Sequence, residues 1–291
     1  MIRTLLVAFI ILLLVLLSAA LAADLWKNRR RIGEEPGSPW LIGAAAPVIM
    51  FLATMGVPDF VMDTLFFEKC RLVDDKRLPG SLVVSASVPL GVVSVVYLIT
   101  AKLDIKIVLI CMICQAIGAT IGVKLVSRLD GARVKKTVGA AMLLSALFIL
   151  IRIIGVGGGN LTTLPAYKLV IMGFCAFFLG IGNMMGMGAK APYMSILLML
   201  GLSADCVLPI IMTACMMSSF FGGVQYIRRG LYQRKVALLY STVGFIGIAA
   251  GFIFVTNLPQ LALQLIMLAI TIYVGISMLV NKKRQKKGVT S

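Results

Sequence analysis

The stretch FFLGIGNMMGMGAKAPY, Phe177–Tyr193, interrupts a long apolar region that is otherwise suited to a membrane-spanning helix. It contains four glycines and Pro192. Both residue types weaken a helix relative to alanine, glycine by about 1 kcal/mol and proline by about 3 kcal/mol. In a bilayer such a break is tolerated only where it is buried in protein or lines a cavity, which is where transporters bind substrate. The stretch therefore predicts a broken membrane helix with a binding site at the break.

Lys190 lies within this break. A cation in a membrane segment costs at least about 2.5 kcal/mol on insertion scales, so it marks a candidate functional residue. The alternative is that Lys190 reaches the membrane surface with its long side chain, and that the glycines allow close helix packing. The candidate substrate-binding residues in this stretch are Gly180, Gly182, Asn183, Gly186, Gly188 and Lys190.

Composition places the whole chain in a membrane. Of its 291 residues 60% are hydrophobic, against about 45–50% in soluble domains. A helix needs about 20 apolar residues to cross the hydrocarbon. Uncharged runs of that length are Thr4–Ala23, Leu78–Ala101, Leu169–Ala189 and Cys206–Ile227. The sequence therefore predicts an all-α polytopic membrane protein.

Several function classes are disfavoured. The net charge is +17, but the basic residues lie at the ends of apolar runs, which is typical of membrane orientation and not of nucleic-acid binding. The chain has no histidine, and its six cysteines include no paired CxxC set. This argues against an enzyme, a metal site or a cofactor, since acid–base and metal chemistry most often use these residues. It also lacks the phosphate loop of a nucleotide-driven pump.

A second interrupted segment runs from Trp40 to Phe67 and is broken at Gly56 and Pro58. Proline cannot donate to the helix hydrogen-bond ladder and restricts the residue before it. Asp59 and Asp63 follow the break, and intramembrane carboxylates are candidates for proton relay. We treat both as candidate coupling residues. Asp59 could instead be the salt-bridge partner of Lys190.

The remaining segments suggest five regions. Residues 1–38 form a first membrane helix followed by a basic loop, which favours a retained helix over a cleaved signal peptide. Residues 39–155 form a first repeat, 156–166 a linker, 167–281 a second repeat and 282–291 a basic tail. The later spans are expected at Leu78–Ala101, Ile107–Val123, Thr137–Ile154, Cys206–Ile227, Val236–Val255 and Leu261–Val280.

A short match at a constant offset supports the two repeats. YLITAKLDIKIVLI from Tyr97 aligns with YIRRGLYQRKVALL from Tyr226. The same offset pairs two GxxxG motifs, at Gly118 and Gly122 and at Gly247 and Gly251. This spacing allows a helix to pack closely on a neighbour.

The distribution of charge predicts the topology. Five segments, 24–38, 68–77, 124–136, 228–235 and 281–291, carry 22 of the 28 lysines and arginines. The positive-inside rule places all five in the cytoplasm. This requires each broken segment to be a hairpin, the first entering from the cytoplasm and the second from the opposite side. The expected fold is therefore two inverted-topology repeats, each a broken-helix hairpin plus three transmembrane helices, with one extra N-terminal helix. The C-terminus is expected in the cytoplasm.

Half-helix N-termini that meet within the membrane would form an anion site, because they present free N–H groups and a partial positive charge. Lys190 would add a full charge. The polar candidates that could donate hydrogen bonds there are Asn183, Ser85, Ser87 and Thr213. Gly56 completes the candidate substrate-binding set at the first break.

These motifs resemble the TauE/SafE family of sulfite exporters. In that family each repeat opens with G-x-G-G-G and a later proline, followed by A-x-x-T-S and a Tyr-(Leu)-Arg-Arg-Gly end. The second copy here matches at Gly180, Gly182, Pro192, Thr213 and Tyr226–Gly230. The first copy, MGVPDFVMDTLFF, keeps Gly56, and Ser85–Ser87 stand near the Thr-Ser position. The resemblance covers about residues 40–280.

The resemblance implies export of a small sulfur-containing anion, such as sulfite or a sulfonate, by alternating access. The expected function is thus a secondary transporter, with another organic anion also compatible with Lys190. The alternative is a passive anion channel or uniporter. The expected partners are a small anionic substrate, protons as candidate coupling ions and the lipid bilayer, here the cytoplasmic (inner) membrane.

Overall fold

A computed structural model describes residues 2–54, 57, 59–101, 104–154, 160–254 and 260–280. Within these ranges the chain forms helices and one isolated β-bridge, between Leu161 and Leu202. The helices are α1 (Ile2–Lys27), α2 (Arg29–Glu34), α3 (Pro39–Thr54), α4 (Asp59–Lys69), α5 (Leu78–Thr100), α6 (Ile105–Ser127), α7 (Gly131–Ile153), α8 (Ala166–Met184), α9 (Lys190–Met199), α10 (Ala204–Arg229), α11 (Arg234–Phe254) and α12 (Gln260–Val280).

The helices confirm a multi-pass membrane protein. Seven of those in the described ranges are long and apolar enough to cross a membrane, namely α1, α5, α6, α7, α8, α10 and α11. Helices α3 and α12 contribute shorter apolar segments. Many large apolar side chains remain exposed on the outer surface, as expected where lipid and not water covers a protein.

Both interrupted segments are helix pairs that return to the end where they began. Gly37, before α3, packs against the side chain of Leu72, which follows α4. In the second pair Lys168 near the start of α8 donates to the carbonyl of Leu200 after α9, at 2.7 Å. Helix α8 has 19 residues and is long enough by itself to span, so this hairpin is longer on its first side than the expected pair of short helices.

One predicted boundary was wrong. The segment 124–136 was expected to be a basic loop, with a span starting at Thr137, but α6 continues to Ser127 and α7 begins at Gly131. Asp130 explains the early start, because its carboxylate accepts from the backbone N–H of Arg133 at 2.9 Å and so caps the helix. The basic side chains of this segment therefore project from helix ends.

The two GxxxG motifs make equivalent helix contacts, as predicted. A β-carbon at Gly118 of α6 would lie 2.0 Å from the carbonyl oxygen of Phe177 in α8. A β-carbon at Gly247 of α11 would lie 1.9 Å from the carbonyl oxygen of Pro47 in α3. In each pair the next glycine of the motif meets a later residue of the partner, Ile181 for Gly122 and Thr54 for Gly251. In both contacts the two helices therefore run parallel to each other.

The centre of the bundle is a pair of antiparallel helices. Gly80 of α5 lies against Tyr226 of α10, and Gly91 lies against Met216. Some helices pack against the other half of the chain: α4 packs against α12, and α9 packs against α7. Helix α1 packs across both α5 and α10.

Four of the basic segments meet at one end of the bundle. Arg234 pairs with Asp24 at 2.7 Å, Lys135 pairs with Glu68 at 2.7 Å, and Arg229 hydrogen-bonds Ser127. Tyr232 also donates to Asp24, at 2.6 Å, and burial raises the pKa of this tyrosine, so it remains a protonated donor at neutral pH. The segments 24–38, 68–77, 124–136 and 228–235 thus share one end, here called the basic end. The fifth segment, 281–291, lies outside the described residues.

Candidate functional site

The two helix breaks meet inside the bundle. The Nζ of Lys190, the first residue of α9, lies 2.8 Å from Oδ1 of Asp59, the first residue of α4. Gly188, in the loop before α9, faces Phe60. The side chains of Lys190 and Asp59 are 8% and 2% exposed, so this ion pair is almost fully removed from solvent.

Helix α9 begins without a side-chain cap. Its first N–H groups therefore lack the intrahelical partners that later residues have, and they carry a partial positive charge. Lys190 adds a full positive charge at the same place. The start of α9 is consequently suited to an anion, and in this structure the Lys190 ammonium beside it pairs with the Asp59 carboxylate.

The loop between α8 and α9 is held by buried hydrogen bonds. Asn183 accepts from the backbone N–H of Ala189 at 3.2 Å. Ser145 of α7 donates to the carbonyl of Met187 at 2.9 Å, and Tyr226 of α10 donates to that of Met184 at 2.6 Å. Three helices thus fix the backbone that precedes Lys190.

Two glycines make this loop possible. Gly186 has φ +89° and Gly188 has φ +70°, in the left-handed region that costs other residues about 1–2 kcal/mol. A β-carbon at Gly188 would also lie 3.1 Å from Cβ of Phe60. These glycines therefore turn the chain sharply and let it approach α4.

Ser218 of α10 links the loop to α6. Its hydroxyl accepts from Asn183 Nδ2 at 3.0 Å and from Gln115 Nε2 at 3.4 Å. It donates to the carbonyl of Cys215 at 2.9 Å. Gln115 also approaches the Cys215 sulfur, at 3.7 Å. Asn183, Gln115 and Ser218 thus form a polar network within the apolar bundle, next to the loop that carries Lys190.

Asp63 lies one helical turn after Asp59 and is fully buried. Tyr240 of α11 donates to its Oδ1 at 2.5 Å. The carboxylates of Asp59 and Asp63 therefore share the site with one cation, Lys190, among the described side chains. An unbalanced charge of this kind is costly in a buried site unless it is neutralised.

Several buried polar atoms at the site have no hydrogen-bond partner in the described part of the chain. On α4 and α6 they are Asp59 Oδ2, Asp63 Oδ2, Thr64 Oγ1 and Gln115 Oε1. On α9 the Lys190 ammonium has only its ion pair with Asp59, and the Tyr193 hydroxyl interacts with the Cys111 thiol. Buried polar atoms are nearly always hydrogen-bonded in proteins, to other groups or to water. Their concentration here indicates a place that water or a ligand completes.

The other predicted site residues are less directly involved. Gly180 faces the backbone of α6, where a β-carbon would lie 2.5 Å from the Gln115 carbonyl oxygen, and Gly182 lies against the Met187 side chain. Each of three hydroxyls donates to its own helix: Ser85 to Leu82, Ser87 to Val84 and Thr213 to Pro209. Gly56 lies outside the described residues.

The sequence did not single out Ser145, Ser218 and Tyr240. Hydroxyls are common in membrane helices and usually bond a carbonyl of their own helix, so their presence carries no specific signal. The long-range contact of each depends on how α7, α10 and α11 pack. Gln115 likewise enters the site network through a long-range contact, with Ser218.

Comparison with known families bears on the same region. Residues 169–291 match the family Sulfite exporter TauE/SafE. The match contains most of α8, all of α9 and the helices that follow, and so includes the Lys190 break. The TauE/SafE resemblance predicted from the sequence is confirmed for this part of the chain. The matched family is, by its description, one of sulfite exporters. No curated protein and no solved structure gives a significant match.

Proposed function

We propose that this chain is a secondary transporter, working as an exporter, of a small anion such as sulfite, a sulfonate or another organic anion. The observation that carries the proposal is the buried ion pair between Lys190 and Asp59. It joins the two hairpins at the first residue of the second helix of each, α9 and α4. An intramembrane charge at a helix break is typical of a transport pathway. The TauE/SafE match over the half that contains Lys190 supports an anionic substrate.

The substrate-binding site is proposed to lie between the two breaks. Lys190 and the start of α9 would bind the anion. Gly186 and Gly188 would allow backbone N–H groups to approach it. Asp59 and Asp63 are proposed to couple transport to protons, because they place two carboxylates beside one buried cation.

Inverted-topology repeats are proposed for the fold, supported by the directions of helix packing. Helix α8 runs parallel to α6, and α3 runs parallel to α11, whereas α5 and α10 are antiparallel. Since α5–α6 and α10–α11 are joined by short connections, α6 and α11 run in opposite directions, and therefore α3 and α8 do too. Corresponding helices of the two halves would then be related by inversion, as in alternating-access transporters.

The basic end is proposed to face the cytoplasm, with the C-terminus on the same side and the chain in the inner membrane. The positive-inside rule supports this orientation. The chain offers a native probe, because Cys70 is exposed at the basic end. An impermeant thiol reagent added to intact cells should leave Cys70 unmodified. In a Cys70→Ser background, a cysteine at the exposed Thr162 should react. Modification of Cys70 in intact cells, with an unreactive Thr162→Cys, would reverse the orientation.

Flux tests the function directly. Proteoliposomes containing the full chain should take up labelled sulfite, faster under an imposed pH gradient and above the equilibrium concentration. Uptake that is fast but never exceeds equilibrium would indicate a passive channel or uniporter. No uptake of labelled sulfite, of a labelled sulfonate or of a labelled carboxylate would reject an anion transporter.

A further inference from the structure

The Asp59 carboxylate holds the position on Lys190 that a transported anion needs. Its Oδ1 lies 2.8 Å from the ammonium, beside the uncapped start of α9. Among the described side chains no other acceptor reaches this ammonium. An anion that binds Lys190 must therefore either displace Asp59 or share the ammonium with it.

The charges around the pair decide between these two cases. The ionisable groups that face Asp59 are Lys190 on α9, Asp63 on its own helix, Tyr240 on α11 and Cys215 on α10. Helix α3 carries no ionisable residue. The ionisable residue of α5 is Tyr97, near the C-terminal end of that helix. The ionisable residue of α12 is Tyr273, whose ring lies beside Lys69. One cation therefore serves the site. A bound anion together with an ionised Asp59 would leave a net negative charge away from water, which is strongly unfavourable.

We propose that a monoanion replaces Asp59 on Lys190 and that Asp59 binds one proton from solution as it leaves. This inference rests on the proposed function and adds to it how the net charge of the site stays balanced when the anion binds. One negative charge enters with the anion and one positive charge enters with the proton, so the charge of the site is unchanged. The Asp59–Lys190 ion pair breaks, and an anion–Lys190 ion pair forms in its place.

The same count selects the substrate class. With Asp59 and Asp63 both in the neutral carboxylic acid form, the site offers one full positive charge and the partial charge of the α9 start, about half a charge. A monoanion such as a sulfonate, bisulfite or a carboxylate is matched by this charge. A dianion such as sulfate would leave about half a negative charge uncompensated away from water, so the site should discriminate against dianions.

The test uses the purified full chain and methanesulfonate, which keeps a single negative charge from pH 5 to pH 8, with acetate as a second monoanion and sulfate as the dianion. Release of one carboxylate predicts that wild-type binding strengthens about tenfold per pH unit as the pH falls, wherever Asp59 is ionised in the free protein. Asp59→Asn should bind methanesulfonate more tightly and without pH dependence. Asp130→Asn, which neutralises an exposed carboxylate at the basic end, is the matched control and should behave as wild type.

A measurement on the wild type alone covers the case in which Asp59→Asn does not fold. Calorimetric titration with methanesulfonate in buffers of different ionisation enthalpy should show uptake of about one proton per anion bound. No proton uptake, pH-dependent binding retained in Asp59→Asn, or sulfate bound as tightly as methanesulfonate would each overturn the proposal. So would the absence of binding by both monoanions.

The exchange at Lys190 and the proposed transport function can be rejected independently of each other. Gradient-driven flux without proton uptake on binding would reject the exchange at Lys190 and leave the transporter standing. Proton-linked binding with no flux of any anion in proteoliposomes would keep the exchange and reject transport.

Discussion

The two helix hairpins differ in what they bring to the site. The first, α3–α4, contributes carboxylates, since Asp59 and Asp63 both lie on α4. The second, α8–α9, contributes a lysine and a glycine loop held by Asn183, Ser145 and Tyr226. In the proposed exchange the second hairpin would be the fixed anion-binding element, and the first would supply the anion that is displaced. The charges are divided between the hairpins, so neither forms the site alone.

The largest effect should come from breaking the connection between the hairpins. Lys190→Gln leaves the Asp59 carboxylate buried without a cation, and loss of one partner of a buried pair typically costs about 3–5 kcal/mol. We expect a lower melting temperature in detergent and at least a tenfold loss of anion flux. Lys124→Gln, which removes an exposed lysine at the basic end, is the matched control. Wild-type flux in Lys190→Gln would remove this lysine from the site.

The second largest effect should come from disturbing the packing of each hairpin on its neighbouring helix, which tests whether the two hairpins are packed equivalently. Gly247→Val should push α3 from α11, and Gly118→Val should push α8 from α6, since each β-carbon would meet a backbone oxygen. Overpacking typically costs about 1–3 kcal/mol, and we expect similar losses of thermal stability in the two variants. Gly43→Ala in α3, where nothing lies within 4 Å, is the control and should be neutral. A loss in one variant only would show that the hairpins are not equivalently packed.

The glycine loop of the second hairpin should respond to a smaller change. Gly188→Ala places a β-carbon at φ +70° beside Phe60, at a cost of about 1–2 kcal/mol. We expect reduced affinity for the anion as well as reduced stability, because the loop sets the position of Lys190. Unchanged affinity, measured by calorimetry, would show that the loop tolerates another conformation.

The smallest expected effect is on one support of that loop. Tyr226→Phe removes the hydrogen bond to the Met184 carbonyl, and a neutral hydrogen bond contributes about 1 kcal/mol. We expect a shift of a few degrees in melting temperature with flux largely retained. A loss of flux as large as that of Lys190→Gln would mean that Tyr226 has a role in the pathway itself.

Most of the helices could be predicted from hydropathy, and both breaks from glycine, proline and the charged residues that follow them. Asp59 and Lys190 were recognised because each stands directly after a break, which made their pairing a specific alternative. The start of α7 was not predicted, because Arg133, Lys135 and Lys136 indicated a loop while the helix cap comes from Asp130. The roles of Ser218 and Tyr240 depend on contacts between helices that are far apart in the sequence, and the residues near each of them do not indicate those contacts.

Helix α1 lies outside the ten helices of the two halves, but it is fastened at both of its ends. Arg3 donates to the carbonyl of Leu98 in the last turn of α5 and to that of Ala101 just after it, at 2.7 and 2.8 Å. At the other end Asp24 pairs with Arg234 at the start of α11. A rigid rod pinned in this way keeps the distance between its two anchors constant. Because α1 also packs along both α5 and α10, we expect these three helices to form a stationary frame, so that opening and closing of the pathway falls to the hairpins and the outer helices.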